Sequence, residues 1–468
     1  MVLWIDIHNY IAVIMSIETI TIPLKEYNAL KEQIQLLQEE IRLLKNGRNS
    51  KTSSTPPSQD ISRNYQKSLR EPSTRRTGGQ DGHAGSNLKM KDTPDKIITY
   101  QPNYCKQCGS ILSTYGATMT SRKQEIELPI IEPQYTEHQS YTCTCHKCGF
   151  ATTSELPGHL TANVQYSPKI SAWVAYLSVR QYISYQRIAE LMKDCFQIPI
   201  SEGTIDNMLK NLTDKAQTAY QTIADRVGGS VVVGGDETGI KINTKKGWLF
   251  TFQTPALTFL VVSLSRGYQT IKSVFKNGFP MSVYVTDCLA AQLKTPALLH
   301  QICLVHLLRE LNNFIDAVNC QWAVQMKQLF QSAIILKSKL QPHDYLPTGQ
   351  IGLSKNDKVN AISRELHELL RVDFSNEHKK VQAFIKRLNK NQDAILPFLY
   401  HPKVPPHNNA SEGAIRNAKI KMKVSNQFKS FEGAYSYAVL RSVIDTTIKN
   451  SQNVLGALMN LAKFAPAE

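Results

Sequence analysis

Three acidic residues occupy positions from which they could bind divalent metal ions together. Asp236 and Asp287 each end an apolar run, VVVGGD and VYVTD, and Glu412 stands in the basic stretch NNASEGAIRNAKIKMK. Carboxylate oxygens are ligands that Mg²⁺ prefers. Two such ions ~3.5–4 Å apart can activate a water or a 3′-hydroxyl and stabilise the leaving oxygen. The three acids are therefore the first candidates for catalytic residues.

Two strands must place the aspartates side by side if they are to share metal ions. The β-branched run Val231–Val233 predicts a buried strand ending at Asp236. GWLFTFQT and LTFLVVSLS predict two antiparallel strands, GYQTIKSVFKNG a helix, and MSVYVTDCLAAQ a strand ending at Asp287. This β–β–β–α–β order is that of a ribonuclease-H-like core, in which the first and fourth strands are neighbours. Taken singly, Asp236 could open a turn and Asp287 could cap a helix, but their matched positions favour a metal site.

The third carboxylate should come from a late helix, and Glu412 is the candidate. Asn409 and Glu412 also have the spacing of a capping box, which is compatible with a metal ligand in the first turn. Arg416 and Lys419 follow four and seven residues later, on the same helical face. Their charges suit contacts with a DNA phosphate.

The segment between Asp287 and Glu412 is too long for the bare fold. CLVHLLRELNNFIDAV, AVQMKQLFQSAIILKSKL and NAISRELHELLRV predict helices, so we expect a helical insertion at about residues 315–395. His306 and Arg309 follow the apolar run ICLV and could approach the acids or contact DNA. A lone histidine is more often structural.

Five of the nine cysteines fall in one short segment. CKQCG and CTCHKCG contain Cys-x-x-Cys pairs, each followed by glycine. Four thiolates close a tetrahedral structural zinc site. We expect the ligands to be Cys105, Cys108, Cys145 and Cys148, although Cys143 or His146 could substitute. A zinc ribbon alone does not distinguish DNA binding from protein binding.

The overall charge favours an anionic partner. The 468 residues carry a net charge of +16, with a pI near 9.3, as nucleic-acid-binding proteins often do. No stretch of about 20 apolar residues predicts a membrane span, and the apolar N-terminus, where Met15 is an alternative start, lacks the features of a signal peptide. We expect a cytoplasmic protein that does not bind membranes.

The N-terminal region predicts a helix and a linker. Apolar residues from Tyr27 to Leu44 follow a heptad pattern, which predicts a short coiled coil and a homo-oligomer, although the helix could pack on its own domain. The following Ser-, Pro- and Gly-rich segment predicts a flexible basic linker, in which Arg75 and Arg76 are candidate DNA contacts.

A helix–turn–helix pattern follows the cysteines. SYQRIAELMKDCFQIPISEGTIDNMLKNLT predicts two helices, the second capped by Ser201, and such a pair could bind DNA or serve only as a helical hairpin.

Taken together, these patterns predict a multidomain α/β protein. We expect this division of the chain: residues 1–46, N-terminal helix; 47–95, linker; 96–155, zinc ribbon; 156–228, helical domain; 229–450, ribonuclease-H-like catalytic core, a mixed sheet flanked by helices, with its insertion; 451–468, C-terminal helix or tail.

The chain resembles the insertion sequence sixty-six family of DDE transposases over nearly all of its length. TPPSQD, GGQDGHAG, GGDETGIKI, VTDCLAA, VHLLREL, NNASEGAIR and SFEGAYSYAVLRSVI occur in family order. The resemblance implies that Asp236, Asp287 and Glu412 form a catalytic triad with Mg²⁺ or Mn²⁺. Asp81, His407 and Gly413 depart from the family pattern, and Gly413 stands where the family usually has arginine.

These features predict a bacterial transposase that hydrolyses and joins DNA at the ends of its element. Its partners would be element-end and target DNA, a second copy of the chain and accessory proteins encoded by the same element, and it would lie on the nucleoid when bound to DNA. One alternative is an inactive or domesticated transposase that binds DNA through its zinc domain. Another is a ribonuclease-H-like nuclease acting on other nucleic acids.

Overall fold

The computed structural model describes residues 23–46, 82, 88–113, 117–128, 131–346, 351 and 353–464. Arg75 and Arg76 lie outside the described residues. The chain divides into two compact units: residues 63–135 form the smaller unit, and residues 1–62 with 136–468 form the larger one. No helix in the described part of the chain is both long and apolar enough to cross a bilayer.

The smaller unit contains the first Cys-x-x-Cys turn. Cys105 N–H donates to the Ser110 carbonyl over 2.8 Å, and Gly109 N–H donates to the Cys105 carbonyl over 2.9 Å. Gly109 has φ +74°, a left-handed conformation that glycine adopts without strain. The glycine after the cysteine pair thus closes a tight loop that leaves the two thiols at its rim.

The larger unit begins with helix α1, Leu24–Asn46. This confirms the predicted helix, and its apolar residues remain about half exposed to solvent. The exposed apolar side chains are Leu24, Tyr27, Leu30, Ile34, Leu37 and Ile41. A coiled-coil partner for this stripe stays a prediction.

The second cysteine pair lies on a hairpin of β1, Thr142–Thr144, and β2, Ala151–Thr153. Cys143 lies within β1, paired with Thr152, whereas Cys145 and Cys148 lie in the turn. Gly149 closes this turn with φ +75°, as Gly109 closes the first.

A helical region follows the hairpin. It comprises α2 Pro168–Ala175, a π-helical turn Tyr176–Arg180, α3 Tyr185–Phe196, α4 Glu202–Lys215 and α5 Gln217–Gly228. The Ser201 side chain accepts a hydrogen bond from Thr204 N–H over 3.1 Å, which confirms the predicted N-cap. The two predicted helices, α3 and α4, are therefore present, and their contact with DNA stays a prediction.

A five-stranded mixed sheet forms the centre of the larger unit. Its strands are β3 Val232–Ile242, β4 Lys245–Gln253, β5 Thr258–Ser263, β6 Phe279–Thr286 and β7 Ala297–Ile302. Their spatial order is β5-β4-β3-β6-β7. The first three strands are antiparallel, while β6 is parallel to both β3 and β7. This arrangement is compatible with a ribonuclease-H-like core, and the predicted adjacency of the first and fourth strands is confirmed.

Helices cover both faces of the sheet. Within the described residues, two helices lie between strands: α6 Tyr268–Val274 and α7 Ala290–Leu293. Eight described helices follow β7: α8 Leu304–Val318, α9 Gln321–Lys337, α10 Asp357–Arg371, α11 Lys379–Lys390, α12 Pro397–Tyr400, α13 Asn409–Ser425, α14 Phe431–Lys449 and α15 Val454–Lys463. Short 3₁₀ turns lie among them, at Pro342–Asp344 and Gln392–Ala394.

Alternation along β6 separates two hydrophobic cores. Val283 and Val285 pack with the helices that follow β7, whereas Tyr284 packs with the helical region and α14. Successive side chains of a strand point to opposite faces, so one strand contributes to both cores. The sheet is thus buried on both sides, and the polar residues at its strand ends mark where chemistry can occur.

One sequence expectation about the sheet was wrong, and one strand was missed. The first strand does not end at Asp236 but continues to Ile242, because residues Gly234 to Ile242 pair with β4. It is the parallel pairing with β6 that ends just before Asp236. The strand β7, whose HQI end is partly polar, had not been predicted at all.

Candidate active site

Asp236 and Asp287 meet where β3 and β6 stop pairing. The last parallel pair is Gly235 with Thr286, so each aspartate is the next residue on its own chain segment. Burial raises the pKa of Asp236 well above its usual range, and the neighbouring Asp287 charge raises it further. The predicted approach of the two acids is therefore present.

Glu412 lies in the first turn of α13, and His306 contacts both Glu412 and Asp287. The His306 Nδ1 atom lies 3.0 Å from Asp287 Oδ1, and Nε2 lies 3.8 Å from Glu412 Oε1. Arg309 Nη1 lies 3.9 Å from the same Glu412 oxygen. His306 thus lies between the second and third acids, and Arg309 lies beside the third.

The positive charge of His306 follows from its surroundings. Burial opposes protonation, but the close approach of the Asp287 carboxylate and the Cys303 sulfur outweighs it and raises the pKa of His306 to about 10. An imidazolium between Asp287 and Glu412 neutralises part of their negative charge.

The two adjacent glycines of β3, Gly234 and Gly235, let α13 and β6 approach this strand closely. A Cβ at Gly234 would lie 2.6 Å from Ser411 Oγ, and one at Gly235 would lie 2.4 Å from Tyr284 Oη. A methyl group at either position would force the facing side chains, Ser411 or Tyr284, to move. The GGD sequence therefore places the Asp236 backbone against the helix that carries Glu412.

Asn408 connects three elements of the site. Its Nδ2 donates to the Gly235 carbonyl over 2.7 Å, and its backbone N–H donates to Cys303 Sγ over 3.2 Å. Its Oδ1 accepts a hydrogen bond from the Ser411 hydroxyl over 2.6 Å. This buried asparagine was not among the predicted site residues, although its position before the helix with Glu412 was visible in the sequence.

The predicted capping box is wrong. The N-cap of α13 is Asn408 rather than Asn409, and no side chain caps the helix. The Asn408 Oδ1 atom accepts its hydrogen bond from the Ser411 hydroxyl and not from a backbone N–H of the first turn. Glu412 is consequently not engaged as a capping partner.

The acids fit a divalent cation by one structural criterion. Asp287 Oδ1 and Glu412 Oε1 are buried atoms that make no hydrogen bond to the described residues. Their contacts with His306 have ion-pair distances without hydrogen-bond geometry. A bound cation would satisfy both oxygens, as buried carboxylates require.

The three acids do not themselves form the tightest group of ligand atoms. In the described ranges, one set of three or more His, Cys, Asp or Glu side chains has all its donor atoms within 4.8 Å: Asp287, Cys303 and His306. Two cations ~3.5–4 Å apart would be shared by different pairs of ligands. A wider spacing of the triad is therefore compatible with a two-ion site.

Glu237, next to Asp236, is held in a separate network. Its carboxylate accepts hydrogen bonds from Arg266 over 2.6 Å and from Gln292 over 2.6 Å. Burial raises the pKa of Glu237, and Arg266 opposes that effect. Because both of its oxygens are occupied, Glu237 is a structural neighbour of the site.

The remaining predicted DNA contacts lie along α13. Arg416 is exposed and Lys419 half-buried, and the continuous helix places both on the side of Glu412. This arrangement leaves the Arg416 charge accessible to a phosphate.

The two cysteine turns have the local chemistry of metal ligands. Hydrogen bonding from Ser110, first through its hydroxyl and then through its N–H, lowers the pKa of Cys108 to about 7. Backbone N–H groups of Cys148 and Lys147 lower the pKa of Cys145. Lower thiol pKa values favour the thiolate that binds zinc. The four-cysteine zinc site stays a prediction, since the pairs belong to different compact units.

The sheet order and the adjacent acids Asp236 and Asp287 are compatible with the class of nucleic-acid enzymes that has a ribonuclease-H-like core. Within that class, the model of the transposase IS66 family matches residues 163–436. The chain belongs to this family of transposases, and membership implies a DNA substrate. No curated protein matches the sequence.

Proposed function

We propose that this protein is an active DDE transposase that cleaves DNA at the ends of its element and joins them to target DNA. The carrying observation is the register that places Asp236 and Asp287 directly after the last paired residues of β3 and β6, with Glu412 near His306. In this proposal the three acids hold Mg²⁺ or Mn²⁺, and zinc on the four cysteines has a structural role.

The chemistry requires a nucleophile, a scissile phosphate and a leaving oxygen. Bound divalent cations would supply Lewis acidity and lower the pKa of the attacking water or 3′-hydroxyl. The attacking oxygen forms a bond to phosphorus while the bond to the 3′-oxygen breaks in hydrolysis. In joining, the freed 3′-hydroxyl attacks a target phosphate and displaces its 3′-oxygen.

The protein's own residues position these groups. Asn408 fixes the backbone before Asp236 relative to the helix with Glu412. Arg309 lies beside Glu412, and Arg416 lies one turn further along α13, so both can bind phosphate oxygens. The His306 ring lies between Asp287 and Glu412, and the ring would lose its proton on binding a metal.

Strand nicking tests the proposal. The full chain, DNA carrying the ends of the encoding element, and Mg²⁺ or Mn²⁺ should give nicked and joined products on a sequencing gel. Asp236→Asn, Asp287→Asn and Glu412→Gln should each lower nicking by more than about 100-fold. The exposed Asp393→Asn is the matched control and should nick normally.

DNA binding separates the proposal from its alternative. Each triad variant should still shift element-end DNA in a gel, because the basic surface is unchanged. If wild-type protein binds these ends but nicks them with neither cation, the protein is an inactive DNA-binding relative. Equal nicking by Asp287→Asn and wild type would refute the assignment of the triad.

A further inference from the structure

Asp287, Cys303 and His306 bring three different metal-ligating atoms together. Their carboxylate oxygen, sulfur and imidazole nitrogen all lie within 4.8 Å of one another. We propose that these residues form a site for a borderline transition metal such as Zn²⁺ or Co²⁺, distinct in its donor set from the all-carboxylate triad.

Strand pairing fixes the relative positions of Asp287 and Cys303. Asp287 follows the last residue of β6, and Cys303 follows the last residue of β7. The Cys303 N–H donates to the Thr286 carbonyl over 2.8 Å, which ties the two strand ends together. The carboxylate and the thiol therefore leave the sheet side by side.

Helix geometry adds the third ligand. Cys303 is the N-cap of α8, and His306 is three residues later in the first turn. Residues three apart lie on one side of a helix. His306 Nδ1 consequently approaches Asp287 Oδ1 to 3.0 Å.

The donor set selects for metals other than Mg²⁺. Zinc binds cysteine sulfur, histidine nitrogen and carboxylate oxygen, and zinc sites that bind an exchangeable ligand use three protein ligands. Magnesium prefers oxygen ligands alone. A fully buried sulfur beside an imidazole therefore favours the softer ion.

The surroundings of Cys303 also suit a metal-bound sulfur. Its Sγ accepts a hydrogen bond from the backbone N–H of Asn408 over 3.2 Å. Hydrogen bonds of this kind orient a ligand and are part of many metal sites. The sulfur is thus already held as an acceptor.

Cys320 provides an internal comparison. It is the N-cap of the next helix, α9, with φ −66° and ψ 110°, close to the −62° and 110° of Cys303. Three residues later it has Ala323 instead of histidine, and its thiol lies 3.3 Å from Glu377 Oε2. Cys320 has the same backbone conformation and a carboxylate beside its thiol but no histidine, which makes it the matched control.

The site shares Asp287 with the triad, and this consequence rests on the proposed function. A transition metal held by Asp287, Cys303 and His306 would withdraw Asp287 from the catalytic cations. We therefore expect Zn²⁺ to inhibit Mg²⁺-dependent nicking by competition at this aspartate.

Cobalt absorption tests the site directly. The full chain, purified without added metal, is titrated with Co²⁺, and sulfur-to-cobalt charge-transfer absorption is recorded in the near ultraviolet. Co²⁺ bound at the cysteine turns contributes equally to the spectra of all variants. Subtracting the spectrum of Cys303→Ser from that of the wild type should leave a charge-transfer band. Subtracting the spectrum of Cys320→Ser should leave none. Added Zn²⁺ should remove the Cys303 band.

His306→Ala supplies the second test, with the thiol retained. The Cys303-dependent band should need at least about 10-fold more Co²⁺ for half saturation, because one of three ligands is lost. Circular dichroism identifies any variant that fails to fold. Identical titrations of wild type, Cys303→Ser and His306→Ala would overturn the site. If the Cys303-dependent band is present but the protein does not nick DNA, only the proposed function is refuted.

Discussion

The side-chain amide of Asn408 donates to the carbonyl of Gly235, 173 residues earlier in the chain, over 2.7 Å. This bond joins the strand that carries Asp236 to the helix that carries Glu412. The distance between two proposed metal ligands thus depends on a residue that is not itself a ligand.

Replacing Asn408 should impair nicking more than folding. Asn408→Ala leaves the buried Gly235 carbonyl without its hydrogen-bond donor, so the strand with Asp236 and the helix with Glu412 are no longer held together at this point. We expect nicking to fall by about 10–100-fold and the Mg²⁺ concentration for half-maximal nicking to rise. Exposed Asn409→Ala is the control and should match wild type. An Asn408→Ala protein with an unchanged Mg²⁺ requirement would contradict the positioning role.

Gly234→Ala should separate α13 from β3. The new Cβ would lie 2.5 Å from Gln253 Nε2 and 2.6 Å from Ser411 Oγ, so the packing must shift. We expect urea unfolding to show a loss of about 1–3 kcal/mol. Gly239→Ala, on the same strand with its nearest atom at 4.0 Å, is the control and should unfold near the wild-type midpoint. Equal midpoints for both variants would show that α13 is not tightly packed there.

The buried Arg441–Asp445 pair should stabilise the fold only as a pair. Arg441 is 1% exposed, lies 2.7 Å from Asp445 and donates to the Val179 carbonyl. Asp445→Leu alone should lower the unfolding free energy by about 3–5 kcal/mol, since it leaves a buried charge. The double variant Arg441→Met with Asp445→Leu should be more stable than the single variant.

A surface pair provides the contrast for that experiment. Asp206 lies 2.8 Å from Lys210, and the two side chains are 37% and 49% exposed. Asp206→Ala should change stability by less than about 1 kcal/mol. A double variant less stable than Asp445→Leu would mean that Arg441 acts mainly through its bond to Val179.

Gly413 is a site where DNA affinity can be raised. A Cβ at this exposed position would meet no atom within 4 Å, so larger side chains fit. Gly413→Arg should tighten binding to element ends and steepen the salt dependence by about one counterion. Gly413→Gln, long but uncharged, should leave the salt slope unchanged. Equal slopes for both variants would place this position away from the phosphates.

The sequence predicted the elements whose patterns are local. The apolar runs before Asp236 and Asp287 identified two strands, and their order identified neighbours, because parallel pairing brings strand ends to one edge. The residue types at these ends then indicated metal binding. Ser201 was equally predictable, since an N-cap depends on only a few adjacent residues.

Features that depend on distant contacts were not predicted. Asn409 was interpreted as a cap because spacing cannot show that Asn408 binds Gly235 instead. The Cys303–His306 spacing was visible but its meaning depends on Asp287, which the sheet brings beside it. The continuation of β3 to Ile242 depends on pairing with β4 and not on the GGDE sequence alone.

The long separation between Gly235 and Asn408 also orders events during synthesis. A ribosome releases the strands with Asp236 and Asp287 long before the helix with Glu412, and contacts between distant residues form late. Under the proposed function, the metal-binding triad is therefore complete only after α13 has been synthesised and has packed against β3.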